Sequence, residues 1–258
     1  MDVEICVDSV ESAIASARGG AERLELCSAL SEGGITPSSG LIRVVRAAVP
    51  IQLFVIIRPR GGNFVYSDSE LDVMRKDILA VKALGVNGVV LGVLTRDDEI
   101  DQARTRELIE LARPLQVTFH RAFDVCRNMD RALEDVIASG ADRILTSGGK
   151  TDAMSGLSAI AAFQQKAGQR VRIMAGGGIR ASNVRTIVLQ TGVREVHTSL
   201  NADAKIGGSD GGVEIHRLRS GFVPFVVRES DVRAFKSALP AIDPEKEPAA
   251  PEPSSLLP

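Results

Sequence analysis

Two Glu-x-Cys triplets stand early in the chain, Glu4-Ile5-Cys6 and Glu25-Leu26-Cys27. Residues two apart share a face of an extended strand, so each triplet sets a carboxylate and a thiol on one side. If the two strands are neighbours, two carboxylates form one layer and two thiols the layer above. Two carboxylates in unlike environments can divide into an acid and a base. Two thiolates on adjacent strands can hold soft Cu(I). The same cysteines also fit as small core residues, and spacing leaves both readings open. A closed four-ligand zinc site needs Cys/His spacings that are absent.

Other polar groups follow apolar runs further along. Arg58 and Arg60 come in Ile57-Arg58-Pro59-Arg60-Gly61-Gly62. The stretch TFHRAFD (118–124) turns from Phe119 into His120, Arg121 and Asp124. The chain has only three histidines, so a His–Arg pair at the end of an apolar run invites a functional reading. His197 and Ser199 lie in another such run, Glu195–Leu200. Gly176, Gly177 and Gly178 form a triple glycine, where backbone amides can approach an anion closely. Arg58, Arg60 and Arg121 are therefore anion-binding candidates with that turn, and His120 or His197 is a candidate to move a proton.

The elements that would gather these groups are eight short aliphatic runs: 3–7, 23–27, 52–57, 88–92, 116–121, 143–147, 171–175 and 195–200. Helical patterns separate them. Leu71, Met74, Ile78 and Val81 make one stripe closing on Gly85, and Ala132, Leu133, Val136 and Ile137 make another closing on Gly140. Thr36-Pro37 reads as a helix start, and Ser182 or Asn183 caps a helix that Gly192 ends. Strands alternating with helices predict an α/β chain, a single (β/α)8 TIM-like barrel over residues 1–239. An open doubly wound sheet is the runner-up, and no G-x-G-x-x-G follows the first strand to support it. In the barrel all strand C-termini meet at one rim. Glu4 and Glu25 then face the lumen, where an unpaired carboxylate is costly. The cations expected to hold them are Arg58, Arg60 and Arg121.

Residues 201–230 read as a long loop after the eighth strand. Residues 240–258 hold six of the eleven prolines and too few apolar groups to pack, which predicts a disordered tail. Net charge is −2 with no basic stripe, against a nucleic-acid partner. No apolar run is long enough to span a membrane, and MDVEICV lacks a leader's basic start. Three sparse cysteines argue for a reducing cytoplasm rather than a disulfide framework.

Taken together, the motifs resemble the CutC family, named for copper homeostasis. The resemblance is carried by Glu4–Cys6, Gly20–Cys27, Glu32–Ser38, Ile57–Gly62, Thr118–Asp124, Ile144–Gly148, Met174–Gly178 and Glu195–His197, in order from residue 3 to about 200. It implies a TIM-like barrel, a cytoplasmic homo-oligomer and a Cu(I) site whose cysteines are Cys6 and Cys27; in the copper reading Cys126 or Met174 are possible helpers. It implies no reaction. The alternative is a barrel enzyme acting on a small anionic metabolite, phosphorylated or carbohydrate-like, with Glu4, Glu25, His120 and His197 as its catalytic groups.

Overall fold

The eight aliphatic runs become eight parallel strands: β1 (Asp2–Val7), β2 (Arg23–Leu26), β3 (Gln52–Ile56), β4 (Gly88–Leu91), β5 (Gln116–Phe119), β6 (Arg143–Thr146), β7 (Arg172–Ala175) and β8 (Glu195–Thr198). Each pairs with its sequence neighbours, and β1 also pairs with β8, so the sheet closes into a barrel. Helices fill the gaps: α1 (Val10–Gly19), α2 (Ser39–Ala48), α3 (Asp68–Lys82), α4 (Gln102–Ala112), α5 (Met129–Ser139), α6 (Leu157–Ala167), α7 (Val184–Thr191) and, after β8, α8 (Glu229–Ala238). This is the (β/α)8 barrel that the alternation predicts.

The structure, a computed structural model, describes residues 1–200, 202–203 and 225–241. Most of the loop expected at 201–230, and the expected tail beyond residue 241, lie outside the described residues. At the loop's far end the expectation is too long. A short antiparallel pair, β9 (Ala202–Asp203) with β10 (Phe225–Val226), precedes α8, which already begins at Glu229. Acidic Glu229 and Asp231 suit its first turn. Val232 and Phe235 are fully buried, and a Cβ on Gly19 would stand 2.4 Å from Val232 Cβ, so α8 seats closely against α1.

Helix starts follow side-chain chemistry. Ser67 and Glu70 form a reciprocal capping box, so α3 opens three residues before the apolar stripe. The second helix is capped by Ser38 rather than Thr36. The Thr36 hydroxyl is engaged elsewhere: it accepts from the Arg58 amide at 2.9 Å and donates to the Arg58 carbonyl at 3.2 Å.

Strand alternation makes two cores. One phase faces the helices: Val3, Ile5, Leu24, Leu53, Val55, Val89, Val117, Ile144 and Val196 pack with Ile42, Leu71, Met74 and Leu133 in one large apolar layer. Each such side chain contributes about 1.5–3 kcal/mol on full burial. The other phase fills the lumen, where Cys6, Cys27, Phe54, Ile56 and Val90 form a separate small cluster. Two glycines make room there. A Cβ on Gly88 would stand 2.5 Å from the Phe54 ring, and one on Gly92 would stand 2.6 Å from the His120 ring.

The register differs from the expected layering. Glu4 is level with Arg23, and Cys6 is level with Glu25. The second triplet therefore sits one lumen layer higher than the first, because strands in a closed barrel are sheared past one another. The carboxylates do not share a layer.

Candidate functional site

The lowest lumen layer is ionic. Arg23 donates through Nε to Glu4 and through NH2 to Glu195 at 2.7 Å. Arg143 donates through Nε and NH2 to the same Glu195, and through NH1 to Thr118 Oγ1 at 3.2 Å. Both guanidinium carbons stand over the Phe54 ring, at 5.1 and 5.4 Å from its centroid. Arg23 NH2 also lies 3.2 Å from Met174 Sδ. The expected partners are thus corrected: Glu4 is held by Arg23, not by Arg58, Arg60 or Arg121. Those three sit at the rim, too far up their strands to reach the layer of Glu4. Burial disfavours the Glu4 anion, but the Arg23 charge, the His197 hydrogen bond and Arg143 outweigh it and hold the carboxyl at about 2.

Above this layer is the reactive wall. His197 Nδ1 lies 2.8 Å from Glu4 Oε1, and its Nε2 lies 3.6 Å from Glu25 Oε2. Burial disfavours the imidazolium, yet the bond to Glu4 and the charges of Glu25 and Glu4 raise its pKa above the ordinary value. Burial raises Glu25, and the Glu4 charge adds to that against the pull of His197. The two carboxyls are therefore pushed in opposite directions. Cys6 Sγ and Cys27 Sγ are 3.7 Å apart, both buried. The contact with Cys27, then burial, then Glu25 push the Cys6 thiol well above the usual thiol range. Single ligand atoms of Cys6, Glu25 and His197 all lie within 4.8 Å of one another. His197 thus brings a nitrogen donor beside the Cys6 thiol, and its other nitrogen is fixed by a carboxylate. This is the arrangement that orients metal-bound imidazoles.

These groups open onto a cavity of about 350 Å³ at the C-terminal rim. Its lining also includes Arg58, Phe64, His120, Arg121, Gly177, Gly178 and Arg180. Arg58 is buried and locked: NH1 donates to the carbonyls of Glu32 and Gly34, each at 3.0 Å, and NH2 to that of Gly62 at 2.7 Å. His120 accepts the Ala122 amide on Nδ1 at 3.2 Å, which places its proton on Nε2. Burial, and then the Arg58 charge, lower its pKa to about 3, so the ring is neutral. Arg121 Nε meets Asp124 Oδ2 at 2.8 Å, and NH2 meets Ser147 Oγ at 2.7 Å. Asp124 also accepts from Thr146 Oγ1 at 2.5 Å and from the Ser147 and Gly149 amides. It clasps the loop after β5 to the loop after β6 and fixes Arg121 in between.

Several candidates fall away from this cavity. Arg60 turns outward to Glu70 Oε1 at 2.5 Å and over the Tyr66 ring. Gly176 lies beneath the rim, where a Cβ would stand 2.5 Å from Leu145 Cδ1. Met174 belongs to the ionic layer, and the buried Cys126 thiol points at the Ala122 carbonyl. Neither sulfur lines the cavity. The sequence reading missed Arg23, Arg143, Glu195 and Arg180. Arg23 shares the phase of Glu25 and Cys27, and Glu195 shares that of His197, so alternation alone marks them as lumen residues.

Comparison with known proteins gives one consistent result. The family model described as "CutC family" matches residues 1–202. The chain is 47% identical over 205 residues to the copper homeostasis protein cutC homolog of Homo sapiens, covering 80% of this chain and 75% of that one. It is 48% identical over 197 residues to a family protein CutC of Chromobacterium violaceum, covering 76% and 80%. A crystal structure of a CutC chain from Streptococcus agalactiae superposes with a TM-score of 0.74 at 34% identity, over 77% of this chain and 98% of that one.

Proposed function

The chain belongs to the CutC family of copper homeostasis proteins, and from that premise we propose that its barrel mouth holds Cu(I) on Cys6 and Cys27, with the His197 nitrogen beside Cys6 as a further donor. The observation that carries this reading is the 3.7 Å between the two sulfurs. Thiolates bound at about 2.3 Å to one ion at a tetrahedral angle stand about 3.8 Å apart, so a metal fits between them without moving either strand. Two sulfurs and an imidazole suit a soft ion. The Cys6 thiol is protonated at neutral pH, so loading releases a proton, and Glu25 beside it can accept one. The free thiols of Cys6, Cys27 and Cys126 support a reducing cytosol as part of this reading. Its assembly as a homo-oligomer remains part of the same proposal, and light scattering reads it.

Anaerobic titration with Cu(I) against a chromophoric competitor tests the site. One equivalent is expected to bind tightly, binding is lost in a Cys6→Ser, Cys27→Ser double variant, and it is weakened in His197→Gln. Undiminished binding in the double variant removes these ligands.

A second reading, an enzyme acting on a small anionic metabolite, is favoured by one observation that copper leaves unexplained. Elsewhere in the cavity lining, Arg58 Nε and His120 Nε2 are buried donors without partners among the described residues. Glu4 and Glu25, displaced in opposite directions, supply the contrast that acid–base pairs use. Thermal-shift screening of phosphate, sugar and carboxylate compounds tests it. Absence of any stabilising compound counts against it.

A further inference from the structure

Buried polar groups are nearly always satisfied, and those that are not point to something that completes them. His120 is 5% exposed, it lines the cavity, and its Nε2 meets no protein acceptor among the described residues. The sequence expectation was that His120 moves a proton. The structure argues otherwise. An imidazole whose Nδ1 is occupied by a backbone amide, and which sits beside the locked guanidinium of Arg58, is a fixed neutral N–H donor. Such a donor suits a carbonyl or carboxylate oxygen.

A few residues along the rim is a second, cationic feature. Gly177 and Gly178 have φ of +97° and +66°, and their amides donate to no group among the described residues. Arg121 commits Nε and NH2 to Asp124, Ser147 and Lys150 but leaves NH1 without a partner among the described residues. That nitrogen would lie 3.4 Å from a Cβ on Gly177, so the bare backbone and the guanidinium converge on one spot. Arg180, exposed on the same rim, uses NH1 on the Ile179 carbonyl and keeps its remaining donors. Converging amides and guanidinium groups recognise tetrahedral and planar oxyanions.

We propose that the mouth binds a short two-ended compound, a phosphate monoester carrying a carbonyl or carboxylate, with its phosphate on Gly177, Gly178, Arg121 and Arg180 and its other oxygen on His120 Nε2–H. This assignment rests on the second reading above and gives it a substrate class and an orientation. A cavity of about 350 Å³ holds a few carbons between the two ends.

Calorimetric titration of the full chain with 2-phosphoglycolate and with inorganic phosphate tests it, alongside long-range nitrogen–proton NMR of the histidines. We expect 2-phosphoglycolate to bind at least tenfold more tightly than phosphate, and its binding to fall at least tenfold in Arg121→Ala. The His120 Nε2 resonance of the unmodified protein should move with 2-phosphoglycolate and stay still with phosphate. His120→Gln, which keeps an N–H donor, should retain more affinity than His120→Leu. If both probes bind equally and the His120 signal does not move, the two-ended assignment is wrong while the anion reading stands. If neither probe binds at millimolar concentration, both fall.

Discussion

The neutral state of His120 has a measurable cost in acid. An unfolded histidine titrates near its ordinary value of about 6.5, whereas in the fold this ring titrates at about 3. The shift is downward. Between the two values the unfolded chain binds more protons than the native one, so stability is fully present above the unfolded value and falls as pH drops toward 3. Each pH unit in that window removes about 1.4 kcal/mol. From pH 7.0 to 4.5 the loss is roughly 2.5 kcal/mol from this one ring, a large share of an ordinary domain's stability. Urea unfolding of the native protein and of His120→Gln, at pH 7.0 and 4.5, isolates the effect, because the carboxylates titrate alike in both. The native protein should lose roughly 2.5 kcal/mol more than the variant over that interval. Equal losses would refute the reasoning and mean that the ring is already protonated in the fold, or open to water.

Three further outcomes follow from the lumen. Glu4→Gln leaves Arg23 short of one buried counter-charge and should destabilise the fold by about 3–5 kcal/mol in urea titration; a loss below about 1 kcal/mol would show the ionic layer to be redundant. Gly88→Ala forces a methyl against the Phe54 ring and should cost about 1–3 kcal/mol, while Gly40→Ala in α2, whose nearest neighbour would be 3.8 Å away, should be neutral or mildly stabilising in the same assay. Cu(I) affinity should rise with pH. The His197 pKa is raised, so its contribution to stability is present below the ordinary value and fades as pH climbs through the raised one, and that same deprotonation frees Nε2 for metal. Competition titrations at pH 6.5 and 8.0 should show about tenfold tightening per unit for each proton displaced; a flat profile excludes thiol and imidazole ligation.

The barrel was legible because period-two aliphatic runs at strand–helix spacing have few other solutions. All eight predicted runs hold a strand, and Gly140 and Gly192 end helices in the left-handed conformation that glycine tolerates. The face of the Glu-x-Cys triplets was legible for the same reason. Their relative height was not, since shear between neighbouring strands is set by closure of the whole barrel and leaves no mark in either triplet. That shift is why Glu4 met Arg23 rather than a rim arginine. Arg60 misled because its neighbours in sequence, Pro59 and Gly61, suggest a rim turn. Only the fold reveals that Glu70 at the head of α3 draws it outward. His120 kept its place, but its protonation depends on the Ala122 amide and on Arg58, a residue sixty positions earlier that sequence proximity cannot link to it.

The ionic layer has a consequence for traffic. Arg23, Arg143 and Glu195 also form the inner wall of a separate opening at the strand N-termini, lined by Met1, Gln52 and Gln116, and among the described residues it shares no lining residue with the cavity at the other rim. Among the described residues, the ionic layer separates the two openings. A Cu(I) cargo of the kind proposed, entering past Arg121 and Arg180, would then leave the same way rather than be threaded through the molecule. Delivery and collection must take turns at one doorway, and a donor and an acceptor of that cargo would compete for the same threshold.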